Sequence, residues 1–299
     1  MQQRVQAVST HQINGSTVRV FTTLAHKPAR GVIFAIHGFR GDHNGLDRII
    51  AHLPQYTVIV PDLPGFGASS SMQNVEHDVH GYAKTLNQLA TQLRLDSRVH
   101  LLGHSFGSIV AAKLAGEREF ASLILLNPIS ELALDSSQAL LAKITSGYYD
   151  LCAKLPAAVA EPLLRSRLFT DAMSVVMTKS KEPNIRAYVR EQHRAYFGGF
   201  HSRATLAQAY RASISSTVGD YSPAVGVQTL MIGGMQDELG SVATQEALRE
   251  SFPDARLSML ANVGHLIHYE KASETADEIQ GFLCSQGAGS ARSGGLKES

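Results

Sequence analysis

Uninterrupted apolar runs, rather than alternating ones, set the rhythm of this chain. Gly31–Ile36, Thr57–Val60, Val99–Leu102, Ser122–Leu126, Thr229–Ile232 and Arg256–Leu260 each read as a short strand. A strand apolar at successive positions is buried on both faces, as in a parallel sheet covered by helices. Helix-like stretches separate most of them, at about 43–53, 75–93, 106–115 and 242–251, and a last one runs from about His268 to Cys284. Ahead of these lie two strand-like runs, Arg4–Ile13 and Thr17–Leu24, joined by Asn14-Gly15. Both turn residues tolerate positive φ, the signature of a tight hairpin. Strands alternating with helices predict a doubly wound, mostly parallel sheet of about eight strands.

One interval breaks the alternation. Between Ile129 and Ser222 no parallel strand stands out. Helix-like stretches fall instead near 137–154, 161–178, 184–197 and 202–215, punctuated by Pro156, Pro183 and Gly198-Gly199. So long a segment is no simple connection; it reads as a helical lid inserted over the sheet. The expected organisation is therefore a core at 1–128, the lid at 129–222, the rest of the core at 223–285, and a Gly/Ser-rich disordered tail at 286–299.

Composition narrows the class. With 44% hydrophobic and 18% charged residues among 299, the chain is globular. A formal net charge of +1 gives no field for nucleic acid or an anionic membrane. Locally, eleven Lys/Arg stand against five Asp/Glu between Lys143 and Arg211. That bias is either a set of solvated helix faces or a mildly attractive surface for acidic ligands. Cys152 and Cys284 form no CxxC motif and read as buried or half-buried thiols. No apolar run approaches the ~18 residues of a membrane span. Met1-Gln2-Gln3-Arg4-Val5 lacks a signal-peptide core, so a soluble cytoplasmic protein is the expectation.

The candidate chemistry sits at the ends of the strands. Gly103-His104-Ser105-Phe106-Gly107 follows one strand and opens a helix. A Gly-x-Ser-x-Gly turn there pushes the serine hydroxyl out of the sheet, and the helix N-terminus offers free amides for a developing negative charge. An alcohol needs a base. Of the 13 histidines, His265 is singled out, since it lies just past the last strand. His268 is its rival, read as a packing or capping residue. Asp237, in the glycine-led loop after Thr229–Ile232, is the orienting acid; Glu238 is read as surface-facing, and Glu131 is the alternative acid. The amides of Phe39 and Phe106 are the expected oxyanion donors. His37 and His104 are read as structural.

Taken together, His37-Gly38-Phe39, Asp62-Leu-Pro-Gly-Phe-Gly-Ala-Ser69, Gly103-His104-Ser105-Phe106-Gly107, Asp237 and Gly264-His265 resemble the α/β-hydrolase family over about residues 12–284. The resemblance implies a Ser105–Asp237–His265 triad in that chain order, with no metal or organic cofactor. It implies that Asp62 shapes the floor of the pocket and takes no part in the triad. A serine at 105 argues against the dehalogenases and epoxide hydrolases of the family, which use an aspartate nucleophile. The leading expectation is hydrolysis of a carboxylic ester of a small or medium apolar molecule. The alternatives are hydrolysis of a carbon–carbon bond in a meta-cleavage product, or a non-enzymatic ligand receptor on the same fold. Met173, Met177, Tyr188, Tyr196, Phe197 and Phe200 suggest an apolar pocket or simple packing of the lid, and Arg190 and Arg194 are candidates for meeting a substrate carboxylate.

Overall fold

A computed structural model describes residues 6–133 and 139–293. Eight strands form one sheet in the order β1-β2-β4-β3-β5-β6-β7-β8. β1 (Gln6–Ile13) and β2 (Ser16–Thr23) make the hairpin, and β2 runs antiparallel to β4 (Tyr56–Pro61). From there β3 (Gly31–Ile36), β5 (His100–His104), β6 (Ser122–Leu126), β7 (Thr229–Gly234) and β8 (Ala255–Leu260) continue in parallel. The hairpin turn has the positive φ it needs at both Asn14 and Gly15. Residue 4, placed in β1 by the pattern, lies outside the described residues.

The apolar runs are continuous because alternate residues enter two different cores. Phe34 and Ile36 of β3, with Leu123 and Leu125 of β6, face a core filled by α2 (Val79–Gln92) and α3 (Phe106–Ala115). Ile33 and Ala35, with Ile124 and Leu126, face a second core completed by α1 (Asp47–Ala51) and α11 (Ala272–Ser293). Period-two geometry forces this division.

Among the described residues, five α-helices lie between β6 and β7: α4 (Ala139–Lys154), α5 (Ala157–Leu164), α6 (Arg167–Met177), α7 (Pro183–Tyr196) and α8 (Arg203–Ile214). The run expected as one helix over 161–178 is two, broken at Arg165-Ser166. Pro162 sits inside α5, which runs through it to Leu164, so the break lies beyond the proline. After β7 come α9 (Val242–Glu250), then α10 (Ile267–Glu270) and α11. The last two divide at Lys271 what the pattern gave as one helix. α11 runs on to Ser293, past the point where a tail was expected, since a helix already nucleated on the core extends at small cost per residue. Residues 294–299, and residues 137 and 138 of the first insertion stretch, lie outside the described residues.

The insertion is tied to the core at fixed points. The Gly67 amide donates to the Gly199 carbonyl at 2.8 Å, and the His201 amide to Gly65 at 2.8 Å, so the loop after β4 pairs with the α7–α8 connection. The Glu270 carboxylate accepts from the amides of Lys179 and Ser180, while the Lys179 ammonium pairs with Glu238.

Candidate active site

β5 turns into α3 at Ser105, whose φ of 54° and ψ of −123° are strained for a residue with a side chain. Two close approaches hold it. A Cβ on Gly103 would lie 2.4 Å from the Gly107 carbonyl oxygen, and one on Gly107 would lie 2.5 Å from those of Ile36 and His37. The Ser105 amide donates to Leu126 at 3.0 Å, fixing the turn to β6.

His265, in the loop after β8, brings Nε2 to 2.7 Å from Ser105 Oγ. Its Nδ1 lies 2.9 and 3.1 Å from the two Asp237 oxygens. An ionised carboxylate only accepts, so Nδ1 carries the ring proton and Nε2 is free to accept from the hydroxyl. Burial works to raise the Asp237 carboxyl. His265, the Leu239 amide at 2.9 Å and the Asn127 side-chain amide at 2.5 Å outweigh it and hold the group below the usual carboxylate range.

Asn127 was not foreseen. It follows β6 with φ of 44°, and its Nδ2 also donates to the Gly264 carbonyl at 3.2 Å. One amide thus spans the acid loop and the histidine loop. The signal available was an asparagine at a strand end, where positive φ is tolerated.

Phe39 follows β3 and Phe106 opens α3; both line the same cavity as Ser105 and His265. Among the described hydrogen bonds neither backbone amide donates, so both remain available to an anionic oxygen.

Most other expected residues have clear places. His37 accepts from the Leu63 amide through Nε2 at 2.8 Å and faces the Gly38 carbonyl through Nδ1 at 2.8 Å, a structural role. His104 and His268 are buried, their rings tilted by 54° with centroids 4.0 Å apart, and His104 packs at 5.7 Å from His265. Burial first, then His265 nearby, pushes His104 down to about 3, and burial lowers His268 too, so the pair stays neutral. Asp62 is buried and accepts from the ring and amide of His43 and the amide of Ala68, away from the triad. Glu131 lines the cavity, but the hydrogen bonds described for His265 go to Asp237 and Ser105. Glu238 is drawn to Lys179 at the cavity rim instead of facing solvent freely. Arg194 is bound by Asp171 at 2.7 and 2.6 Å, and neither it nor Arg190 lines the cavity.

The cavity holds about 260 Å³ and is closed on the insertion side by Met173, Met177, Tyr196 and Phe197. Tyr188 packs on Tyr269 instead, and Phe200 is buried under Arg165. Arg40, with φ of 58°, is the largest side chain buried almost completely. Its guanidinium donates to the Leu164 carbonyl at 2.8 Å, the Phe197 carbonyl at 2.9 Å and the Tyr149 hydroxyl at 3.0 Å. Leu164 ends α5 and Phe197 caps α7, so one cation closes two helix C-termini, where carbonyls are orphaned and the dipole is negative.

A parallel sheet with a strained strand–serine–helix turn, and with an acid and a histidine on the following loops, defines an α/β-fold hydrolase. The model of the alpha/beta hydrolase fold matches residues 31–272, and the chain belongs to that family. It is 25% identical over 263 residues to Lipase 3 of Moraxella sp. (strain TA144), spanning 84% of this chain and 76% of that one. Among solved structures it is similar to an esterase from Exiguobacterium antarcticum (TM-score 0.74, 17% identity, 92% of this chain and 98% of that one). An epoxide hydrolase, CorEH, is equally near in fold (TM-score 0.74, 20% identity, 94% and 99% covered). The chain is a hydrolase, and its fold neighbours span several reactions.

Proposed function

We propose that this protein hydrolyses carboxylic esters of small or medium apolar molecules through an acyl-enzyme on Ser105. The observation that carries the reading is the unbroken Asp237–His265–Ser105 hydrogen-bond chain opening into an apolar cavity of about 260 Å³. Ser105 Oγ attacks the acyl carbon while His265 Nε2 takes its proton. The imidazolium so formed is stabilised by Asp237, and the Phe39 and Phe106 amides hold the oxyanion. His265 then protonates the leaving alkoxide. Water, deprotonated by His265 in turn, releases the acid and regenerates the serine. These steps need only the chain's own groups.

The serine nucleophile favours acyl transfer over the alkyl-enzyme chemistry of an epoxide hydrolase. The lipase and esterase names of the relatives support an ester as substrate, and the modest cavity supports a short acyl group. Turnover of p-nitrophenyl acetate or butyrate, lost in Ser105→Ala, is the expected result. Absence of ester turnover together with bleaching of a dienol-keto acid would replace the ester reading by carbon–carbon hydrolysis. Failure of a fluorophosphonate to label Ser105 in the folded protein would favour a ligand receptor.

A further inference from the structure

The ring proton of His193 can be placed from its neighbours, and its position decides what that part of the cavity wall can bind. The ring is 6% exposed on α7, with centres 5.9 Å from Tyr269 and 5.4 Å from Phe197. Its Nδ1 lies 2.7 Å from Ser174 Oγ on α6. That hydroxyl has a single proton, and it points to the Thr170 carbonyl one turn back, at 2.9 Å. Ser174 can therefore only accept from His193, so the ring proton sits on Nδ1. Burial pushes the imidazole down to about 4, so at neutral pH it carries no second proton. Nε2 is left as a bare acceptor.

Among the described hydrogen bonds none uses that acceptor; the one bond of the ring is made by Nδ1. Four buried side-chain atoms are enclosed without a partner among the described residues, on His104, Asn127, Gln245 and His268, and Nε2 of His193 is not one of them. It is thus neither paired nor sealed off. His193 lines the cavity that holds Ser105, whereas Ser174 stands behind it, outside the lining. A half-enclosed acceptor gains when a donor reaches it and loses when another acceptor takes the donor's place. A hydroxyl is the donor that a neutral ester can carry without bringing a charge out of water. An imidazole free to change tautomer would meet a hydroxyl or a carbonyl alike; the bond to Ser174 removes that latitude.

We propose that His193 selects esters that carry a hydroxyl group, accepting its hydrogen at Nε2, and that Ser174 fixes this choice by holding the ring proton on Nδ1. This selection rests on the ester reading and narrows it: the substrate is apolar apart from its ester and a hydroxyl. Either half of an ester can bear that hydroxyl, and two matched pairs of compounds separate the halves. For the alcohol half, 4-hydroxypentyl butyrate is set against 4-oxopentyl butyrate; for the acyl half, butyl 3-hydroxybutyrate against butyl 3-oxobutyrate. Within each pair only donor and acceptor are exchanged at one atom. Affinities for the Ser105→Ala protein are measured by calorimetry. In at least one pair the hydroxyl compound should bind about tenfold tighter, the scale of a hydrogen bond made in one case and missed in the other. His193→Phe in that background keeps a ring between Tyr269 and Phe197 and should abolish the difference. Ser174→Ala should shrink it to roughly threefold, since an unlocked ring populates both tautomers. Nitrogen NMR of the imidazoles should show His193 protonated at Nδ1 alone at pH 7, and a mixture of tautomers in the Ser174→Ala variant. Circular dichroism checks that both variants are folded. No binding of any of the four compounds, equal affinities within both pairs, a preference that survives His193→Phe, or a His193 protonated at Nε2 overturns the proposal. In the enzyme with Ser105 intact the same preference should appear in kcat/KM. If binding shows the preference and neither pair is hydrolysed, the ester reading fails while the recognition of the hydroxyl stands.

Discussion

Replacing Arg40 by Met keeps most of the buried stem and removes every hydrogen-bond donor. The carbonyls of Leu164 and Phe197 then lose their partner inside the protein. An orphaned buried acceptor costs about 1–3 kcal/mol, and the Tyr149 hydroxyl adds a smaller loss because it can rotate. Two contacts of the guanidinium with aromatic faces go too, over Phe197 at 4.4 Å and Phe200 at 5.7 Å to the ring centres, roughly 1 kcal/mol together. Against this, the variant no longer buries a charge, which returns part of the sum. The net is a destabilisation of about 3 kcal/mol, or roughly 5 °C in melting temperature for a chain of this size. The loss should also reach catalysis, because Phe39, whose amide is proposed to hold the oxyanion, is the preceding residue. A misplaced donor lowers kcat more than it raises KM; about tenfold is expected, below the 10²–10³ for outright removal of a donor. Thermal unfolding by circular dichroism and p-nitrophenyl butyrate kinetics read the two effects. Arg40→Lys should fall nearly as far, since a compact ammonium cannot span three acceptors in three directions. A melting temperature within a degree of the parent in both variants would refute the view that this cation closes the two helices.

Asp237→Asn should cut kcat by on the order of 10⁴-fold at neutral pH, since an amide can hold the wrong imidazole tautomer; if Glu131→Gln produced that loss and Asp237→Asn did not, the acid is misassigned. Asn127→Gly keeps the φ of 44° but removes the amide that joins Asp237 to Gly264. It should lower kcat by roughly 10–10²-fold with KM unchanged, as expected for a positioning residue, and a KM effect alone would contradict this. Acid should destabilise the fold well above the carboxylate range. Burial pushes His77, His100 and His193 down to about 4 and His104 to about 3. Their unfolded forms protonate near 6.5, so the stability they contribute is complete above about pH 6.5 and is lost progressively as the pH falls towards 3–4. Asp47, raised by burial to about 6, works the other way, as do Asp42, Glu270 and His43, which are also raised, but His37 and His268, pushed down by burial, add to the four histidines. The urea midpoint should therefore drop between pH 7 and pH 5, and a flat profile there would count against neutral buried histidines.

The strands were readable because each is buried on both faces, so every position along Ser122–Leu126 or Gly31–Ile36 had to be apolar. Ser105, Asp237 and His265 were readable because each lies just beyond such a strand, where the chain leaves the sheet. The breaks inside the insertion were less so: nothing in the apolar period marks Arg165-Ser166, and α5 runs straight through Pro162 before it ends. Arg40 was silent for a different reason. A lone arginine in a loop reads as solvated until helices far along the chain are folded over it. Two of its partners are backbone carbonyls, which any sequence has, and the third, the Tyr149 hydroxyl, lies 109 residues further along the chain.

This difference in legibility follows a division in the molecule itself. The groups assigned to the reaction hang from β3, β5, β6, β7 and the loop after β8, all within one sheet whose strands hold each other in register. Their positions are thus fixed by local chain geometry close to each residue. The wall of the cavity comes from α4, α6, α7 and α8, which are tied to the core by the Arg40, Gly67–Gly199 and Lys179–Glu270 contacts and by Tyr149, Leu206 and Tyr210 packed into its apolar cluster. Substrate choice can therefore change through Met173, Met177 or Tyr196 without disturbing the hydrogen-bond chain. It also follows that a loosened clamp acts on both sides at once. Arg40 directly follows Phe39, so the insertion cannot shift far at Leu164 and Phe197 without pulling on the loop proposed to hold the oxyanion. A substrate that fills the cavity and holds α5 and α7 against Arg40 would by the same contact hold the donor in place, which makes the fit of the acyl group a determinant of kcat as well as of KM.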